Sequence, residues 1–332
     1  MYISKIKPLL SKINFLFGRN PKIESRSDRQ DFIPDSYKAV VTITADFELA
    51  WGWQFAKGFS YSDAINKAKE ARKNIPAILD LCEKFGIPIN WATVGHLFLS
   101  ECSIEKGIIH PEIKRLKNFE NSYWKFSNND WFENDPHSNW GKDPEWYAPD
   151  LIKLILDAKT EHEIGCHTFS HIDCSDSICS SEVFGSEVSA CKKAAKKFDL
   201  NLISFVHPGH TIGNLDKLAE LGFNSFQTDY ANILGYPEKH KNGLWELKRT
   251  YEFAYRKDWS VDYHIYRYQK IIERAIKNSV VCNFWFHPSL EPKFIFDVMP
   301  HIFSYISDHK NELFITTPNK YISWLNNIIN QK

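Results

Sequence analysis

The sequence predicts an α/β protein whose parallel sheet is closed, or nearly closed, into a barrel. Three observations carry this expectation. Apolar, β-branched runs alternate with helical periods from residue 39 onward, making roughly six to eight β–α units. Side chains able to do chemistry stand just after those apolar runs. Asp46 and Glu48 follow AVVTITA, His167 and His171 follow EIGC, His207 and His210 follow ISFV, and His287 follows VVCNFWF. Strand C-termini form the functional face of a parallel barrel. Finally, 332 residues, 43% of them hydrophobic, suffice for one large core.

The N-terminus stands apart. Residues 1–22 contain Lys5, Lys7, Lys12, Arg19 and Lys22 and no acid. Ile3, Ile6, Leu10, Ile13 and Phe17 recur at helical spacing between them. This reads either as a docked or frayed basic arm, or as an amphipathic helix making peripheral membrane contact through residues 1–19. Pro8 interrupts the pattern, and the apolar run is too short to span a bilayer. A signal-peptide core and cleavage site are not evident. Residues 20–37 are polar and read as a linker. The expected organisation is a basic arm and linker at 1–37, then a barrel domain at 38–330.

Within that domain Ala39–Ala45 reads as a buried strand. A helix is expected over 62–84, with Asn74 and Pro76 marking a restart and Gly86 closing it. Residues 87–92 form the second strand. The stretch at about 100–147, rich in Trp, Tyr, Asn and Pro, reads as an insertion over a site. Helices at 150–159, 180–198, 215–221 and 263–277 then alternate with strands at 163–166, 202–206, 225–227, 244–248 and 280–286. A strand–helix pair covers 313–329.

Composition narrows the function classes. Lys+Arg and Asp+Glu are equal at 41 each, so no net charge draws the chain to nucleic acid or an anionic membrane. The seven cysteines include no C-x-x-C pair, so a zinc knuckle is not expected. Their scattered placement points to a reducing, cytoplasmic compartment.

The pair Asp46-Phe47-Glu48 would send both carboxylates from a strand into one cavity. Two neighbouring carboxylates resist joint ionisation unless a cation lies between them or one stays protonated. A metal resolves this, with one carboxylate binding it and the other left as a base. His167 and His171, at i and i+4, would place two imidazoles on one face of a helical turn, close enough to share that metal. Two histidines and one carboxylate leave coordination positions open for water and substrate, and a bound water becomes a nucleophile near neutral pH.

The segments TITADFELAWGW, WATVGHLF, WYAPDLIKLILDAKTEHEIGCHTFSH, SFVHPGHTIGN and NFWFHPSL run in order from about residue 39 to 290. Together they resemble the polysaccharide deacetylase family, the NodB-homology domain of carbohydrate esterase family 4. The resemblance implies a distorted (β/α)7 barrel and one divalent metal, usually zinc. It implies Asp46 as catalytic base, His167 and His171 as metal ligands, and His287 as general acid. Glu48 matches a carboxylate ligand in the D-x-D/E form of the first motif; the commoner second Asp is here Phe47. The third motif departs further. The Arg that usually pairs with the catalytic Asp falls at Val206, leaving Lys248, Arg249 or His207 to compensate.

The Pro208–Gly209 turn offers a backbone N–H to an oxyanion, and Asp229 is a candidate to orient His287. Trp51, Trp53 and Trp285, with aromatics of the insertion, are candidates for a sugar platform. The expected function is removal of an acetyl or other small acyl group from an amino sugar or glycan. Alternatives are a catalytically impaired sugar-binding protein, a sugar deformylase or other linear-amide hydrolase, and an Fe(II) oxygenase. The β–α alternation argues against the last, because its two-His-one-carboxylate site usually sits on antiparallel strands.

Overall fold

Alternating apolar strands and amphipathic helices produce one curled, mostly parallel sheet wrapped by helices. The computed structural model describes residues 20–105, 107–127, 130–228 and 232–331. The basic arm at 1–19, with its proposed membrane contact, and Asp229 lie outside them. Among the described residues no helix is long and apolar enough to cross a membrane.

The sheet strands are β1 (Ala39–Phe47), β2 (Asn90–Thr93), β3 (Glu163–Cys166), β4 (Ser204–Val206), β5 (Ser225–Thr228), β6 (Trp245–Lys248), β7 (Val281–Phe286) and β8 (Leu313–Ile315). Neighbours run β6-β5-β4-β3-β2-β1-β7, all parallel. Short edge strands Glu238–Lys239 and Tyr251–Glu252 flank this row, and β8 pairs with the start of β1.

The circuit closes through one extended stretch, residues 245–252. Its first half pairs with β5 and its second half, Tyr251–Glu252, pairs with β7. Between them the Arg249 N–H donates to the Thr228 carbonyl and the Thr250 N–H to the Asn283 carbonyl. The result is the distorted (β/α)7 barrel, with chemistry-bearing residues at its strand C-termini. The interior is narrow and polar. The Gln227 amide donates to Thr44 Oγ1 at 2.9 Å, and a Cβ on Gly165 would lie 2.8 Å from Asn90 Oδ1.

The helices are α1 (Tyr61–Phe85), α2 (Pro149–Leu156), α3 (Ser181–Ala195), α4 (Leu215–Glu220), α5 (Val261–Asn278), α6 (Met299–Asp308) and α7 (Pro318–Gln331). Helix α1 opens with a capping box, in which Ser60 Oγ accepts from the Asp63 N–H and Asp63 accepts from the Ser60 N–H. Gly86, at φ +66°, closes it. It buries Ala64, Ala68, Ala71, Ile75, Ile78 and Cys82, one stripe at three- and four-residue steps.

The expected restart at Asn74 and Pro76 does not occur; α1 runs through both. The Asn74 amide donates to the carbonyls of Pro288 and Leu290, each at 2.9 Å, and so ties the helix to the loop carrying His287. The stretch read as a linker is docked. Lys22–Ile23 pairs with Ile233–Leu234, and Phe32 and Ile33 are buried in the core.

Candidate active site

The cleft at the barrel mouth encloses about 280 Å³ and is lined by Asp46, Glu48, Trp53, Tyr123, Trp124, His167, His171, Gly209, His210 and His287, among others. A larger cavity of about 670 Å³, near Asn214 and Asn242, contains none of the candidate site residues. The chemistry of the lining, rather than size, singles out the smaller cleft.

Asp46 still belongs to β1, which runs two residues past the expected end at Ala45, and Glu48 follows at the first turn after it. Both are buried. Glu48 has room because residue 52 is glycine; a Cβ there would come within 2.2–2.6 Å of the Glu48 carboxyl group. His171 Nε2 lies 2.9 Å from Glu48 Oε2, and His167 Nε2 lies 3.6 Å from the same oxygen. His287 Nε2 is 3.6 Å from the other oxygen, Oε1. The ligand atoms of Glu48, His167 and His171 all lie within 4.8 Å of one another. Burial alone would raise the Glu48 carboxyl group, but the charges of His287 and His171 hold it well below the usual carboxylate range.

The two imidazoles sit on a tight irregular turn rather than the expected helical turn. Thr168 and His171 both take left-handed φ values, +58° and +61°. Three contacts hold them there. The Gly95 and His96 N–H groups donate to the Thr168 and Phe169 carbonyls. Glu187 of α3, fully buried, accepts from the N–H groups of Phe169 and Ser170 and from Ser170 Oγ, at 2.9, 2.8 and 2.6 Å. His167 Nδ1 lies 2.7 Å from the Val206 carbonyl, so the ring donates there and its Nε2 lone pair faces the cleft. Val206, where the usual Arg is absent, thus contributes through its backbone.

The compensating cation is Arg249. Its guanidinium pairs with Asp46 through two bonds, 2.6 Å to Oδ1 and 3.0 Å to Oδ2, with both partners buried. Gln227 Oε1 steadies it from below, accepting from Nε at 3.3 Å, and the Trp285 ring covers it at 4.6 Å. Burial works to raise the Asp46 carboxyl group. The Arg249 charge, then that of His167, overcomes this and holds Asp46 below its usual value. Lys248 instead faces Glu24 and Glu238. His207 is buried with Nε2 3.1 Å from the Gly213 carbonyl, and burial pushes it down to about 3.

The aromatic candidates separate. Trp51 is buried in the core, its Nε1 donating to the Trp146 carbonyl, and does not reach the cleft. Trp285 is also buried and covers Arg249 rather than presenting an open face. Trp53 does line the cleft, 5.5 Å from the His287 ring.

The insertion adds Tyr123 and Trp124, with Trp124 edge-on to His171 at 5.7 Å. Asn121 shapes this hairpin, accepting from the Tyr123 and Trp124 N–H groups and donating to Asp173. In the Pro208–Gly209 turn, Gly209 adopts φ +54°. A Cβ there would lie 2.3 Å from the Trp124 ring, so glycine is required twice over. Sequence reading missed Glu187 and Tyr123, since neither belongs to a motif.

No family profile matches the chain, and no curated protein matches it by sequence. Solved structures do. A protein named as a polysaccharide deacetylase from Mycobacterium smegmatis superposes with a TM-score of 0.61 at 13% identity, over 89% of this chain and 92% of that one. A second of that name, from Pseudomonas aeruginosa PAO1, gives 0.59 at 10% identity, over 88% and 92%. Puue allantoinase gives 0.59 at 12% identity, also over 88% and 92%. The chain therefore has the distorted-barrel fold of the polysaccharide deacetylases.

Proposed function

We propose that this chain is a metal-dependent hydrolase that removes an acetyl or other small acyl group from an amino sugar or polysaccharide. The supporting observation is the convergence of Glu48, His167 and His171 beside an arginine-paired Asp46, with His287 in the same cleft. The donor set fits a divalent ion. The carboxylate is ionised, and the His167 Nε2 lone pair is freed by the bond from Nδ1 to Val206. Glu48, His167 and His171 would hold the ion, a donor set that suits zinc. When bound, it supplies Lewis-acid polarisation of the acyl oxygen and acidifies a water.

Asp46 is the general base. Arg249 keeps it ionised and fixes its plane, so a free lone pair accepts the proton of the attacking water. His287 is the general acid and gives its proton to the departing nitrogen. The Pro208–Gly209 turn offers a backbone N–H to the oxyanion. Trp53, Tyr123 and Trp124 form the walls against which a sugar ring packs.

A second reading, hydrolysis of another amide, is supported by one observation: a protein named as an allantoinase shares this fold. The impaired-binding-protein alternative drew on the missing Arg and the altered first motif; Arg249, paired with Asp46, answers the first of these. The test is acetate release from a panel of N-acetylated sugars and oligosaccharides, with zinc or cobalt added to chelated protein. Release that depends on metal and disappears in Asp46→Asn is expected. Silence across the panel by protein that binds metal tightly would overturn the deacetylase reading.

A further inference from the structure

A second group of metal-ligating side chains lies outside the cleft. His96, Cys102, His110 and Asp135 bring one ligand atom each within 4.8 Å of one another, and among the described residues only this group and the cleft triad do so. His96 comes from the turn after β2; the other three come from the insertion. His96 and Asp135 are fully buried, and His110 is nearly so.

The orientation of His96 carries the inference. Its Nδ1 lies 3.0 Å from the Trp146 carbonyl, an acceptor only, so Nδ1 carries a proton. In the neutral ring Nε2 is then a lone pair. That lone pair sits 2.8 Å from Asp135 Oδ2, yet the two are not aligned as a hydrogen bond. His110 Nε2 approaches the same oxygen at 3.5 Å, again without a hydrogen-bond partner. The Cys102 thiol donates to the two Asp135 carboxylate oxygens, with Sγ at 3.3 and 3.5 Å. Two imidazole nitrogens, a sulfur and a carboxylate therefore face one point at the base of a cavity that Cys102 and His110 line. In the metal-free protein the thiol proton occupies this point; a divalent cation would displace it and engage all four donors.

Tyr147 completes the surroundings. Its hydroxyl lies 2.9 Å from Cys102 Sγ and 3.2 Å from Asp135 Oδ1, the outer contact that commonly orients ligands. Donors around a tetrahedral zinc, with bonds of about 2.0–2.3 Å, stand roughly 3.3–3.8 Å apart. Small shifts bring this group to that spacing.

We infer that His96, Cys102, His110 and Asp135 form a closed, structural binding site for a zinc-type divalent cation. Cys102 binds as the thiolate, its proton passing to solvent. The ion fastens the insertion, and with it Tyr123 and Trp124 of the cleft wall, to the turn after β2.

Cobalt tests this, because the cleft triad contains no sulfur. Reduced, chelated protein is titrated with cobalt(II) and followed by absorption. The expected result is a near-ultraviolet thiolate-to-cobalt charge-transfer band that saturates at about one equivalent for this site. The band should vanish in Cys102→Ser and in His110→Ala, and persist in His167→Ala. Absence of the band in the wild-type protein, or its survival in Cys102→Ser, overturns the proposal. The wild-type titration decides by itself should either variant fail to fold.

Discussion

At the scale of single residues, the Asp46–Arg249 pair governs the site. Each partner is buried, so removing one leaves the other charged and unsolvated. Arg249→Met should cost roughly 3–5 kcal/mol of stability in urea unfolding. The pH dependence should also weaken. In the parent, Asp46 sits below its unfolded value, so its contribution is present at neutral pH and lost as pH falls through the acidic range. In the variant the His167 and His287 charges still oppose burial, so the folded carboxyl group holds its proton more tightly than in the parent and less stability is lost on acidification. Equal slopes for parent and variant would count against the pairing.

Asp46, Glu48, His167, His171 and His287 were legible in sequence because each follows an apolar run. Arg249 was legible only as one of three candidates. It lies 203 residues from Asp46, and only closure of the barrel brings them together. Trp51 and Trp285, candidates for the platform, lie buried; in sequence an aromatic beside a motif looks the same whether it faces the cleft or the core.

At the scale of elements, the turn carrying His167 and His171 depends on α3 through Glu187. Glu187→Ala leaves the buried N–H groups of Phe169 and Ser170 without their acceptor. Each such loss costs about 1–3 kcal/mol. With the turn loosened, metal affinity at the cleft should drop roughly 10–100-fold, as for other outer-shell changes. Isothermal titration with zinc measures this, and unchanged affinity would show that the turn holds its shape alone.

The Gly209 turn makes a similar test. Gly209→Ala should raise KM through displacement of the Trp124 ring and lower stability, and Trp124→Ala in the same chain should recover part of the lost stability but not KM. Full recovery is not expected, since φ +54° remains strained for alanine. No KM change in the single variant would show that Trp124 plays no part in binding. Sequence could mark the glycine but not its neighbour, which arrives from an insertion lacking any periodic pattern. The helix expected to restart at Pro76 is continuous, because packing of the α1 stripe and the Asn74 bonds outweigh the single backbone bond that proline removes.

At the scale of the whole molecule, alternation of apolar runs and amphipathic helices disclosed the α/β barrel. The way it closes was hidden. Residues 245–252 serve two neighbours in turn, and their break at Arg249–Thr250 is a tertiary event with no composition signal. The four ligands of the second cation site were equally hidden, since they stand at irregular spacing and share no motif. Metal binding should stabilise the whole fold by mass action. At a free concentration near one hundred times Kd, one site adds about 2.7 kcal/mol. Thermal unfolding should therefore shift downward on chelation, and identical melting with and without chelator would argue against any resident ion.

The most direct measurement is anomalous scattering at the zinc edge from crystals grown with zinc. The account predicts a peak at the barrel mouth about 2.0–2.2 Å from a Glu48 carboxylate oxygen and from Nε2 of His167 and His171. A folded protein whose crystals show no peak there, or show zinc held by other residues only, would contradict it.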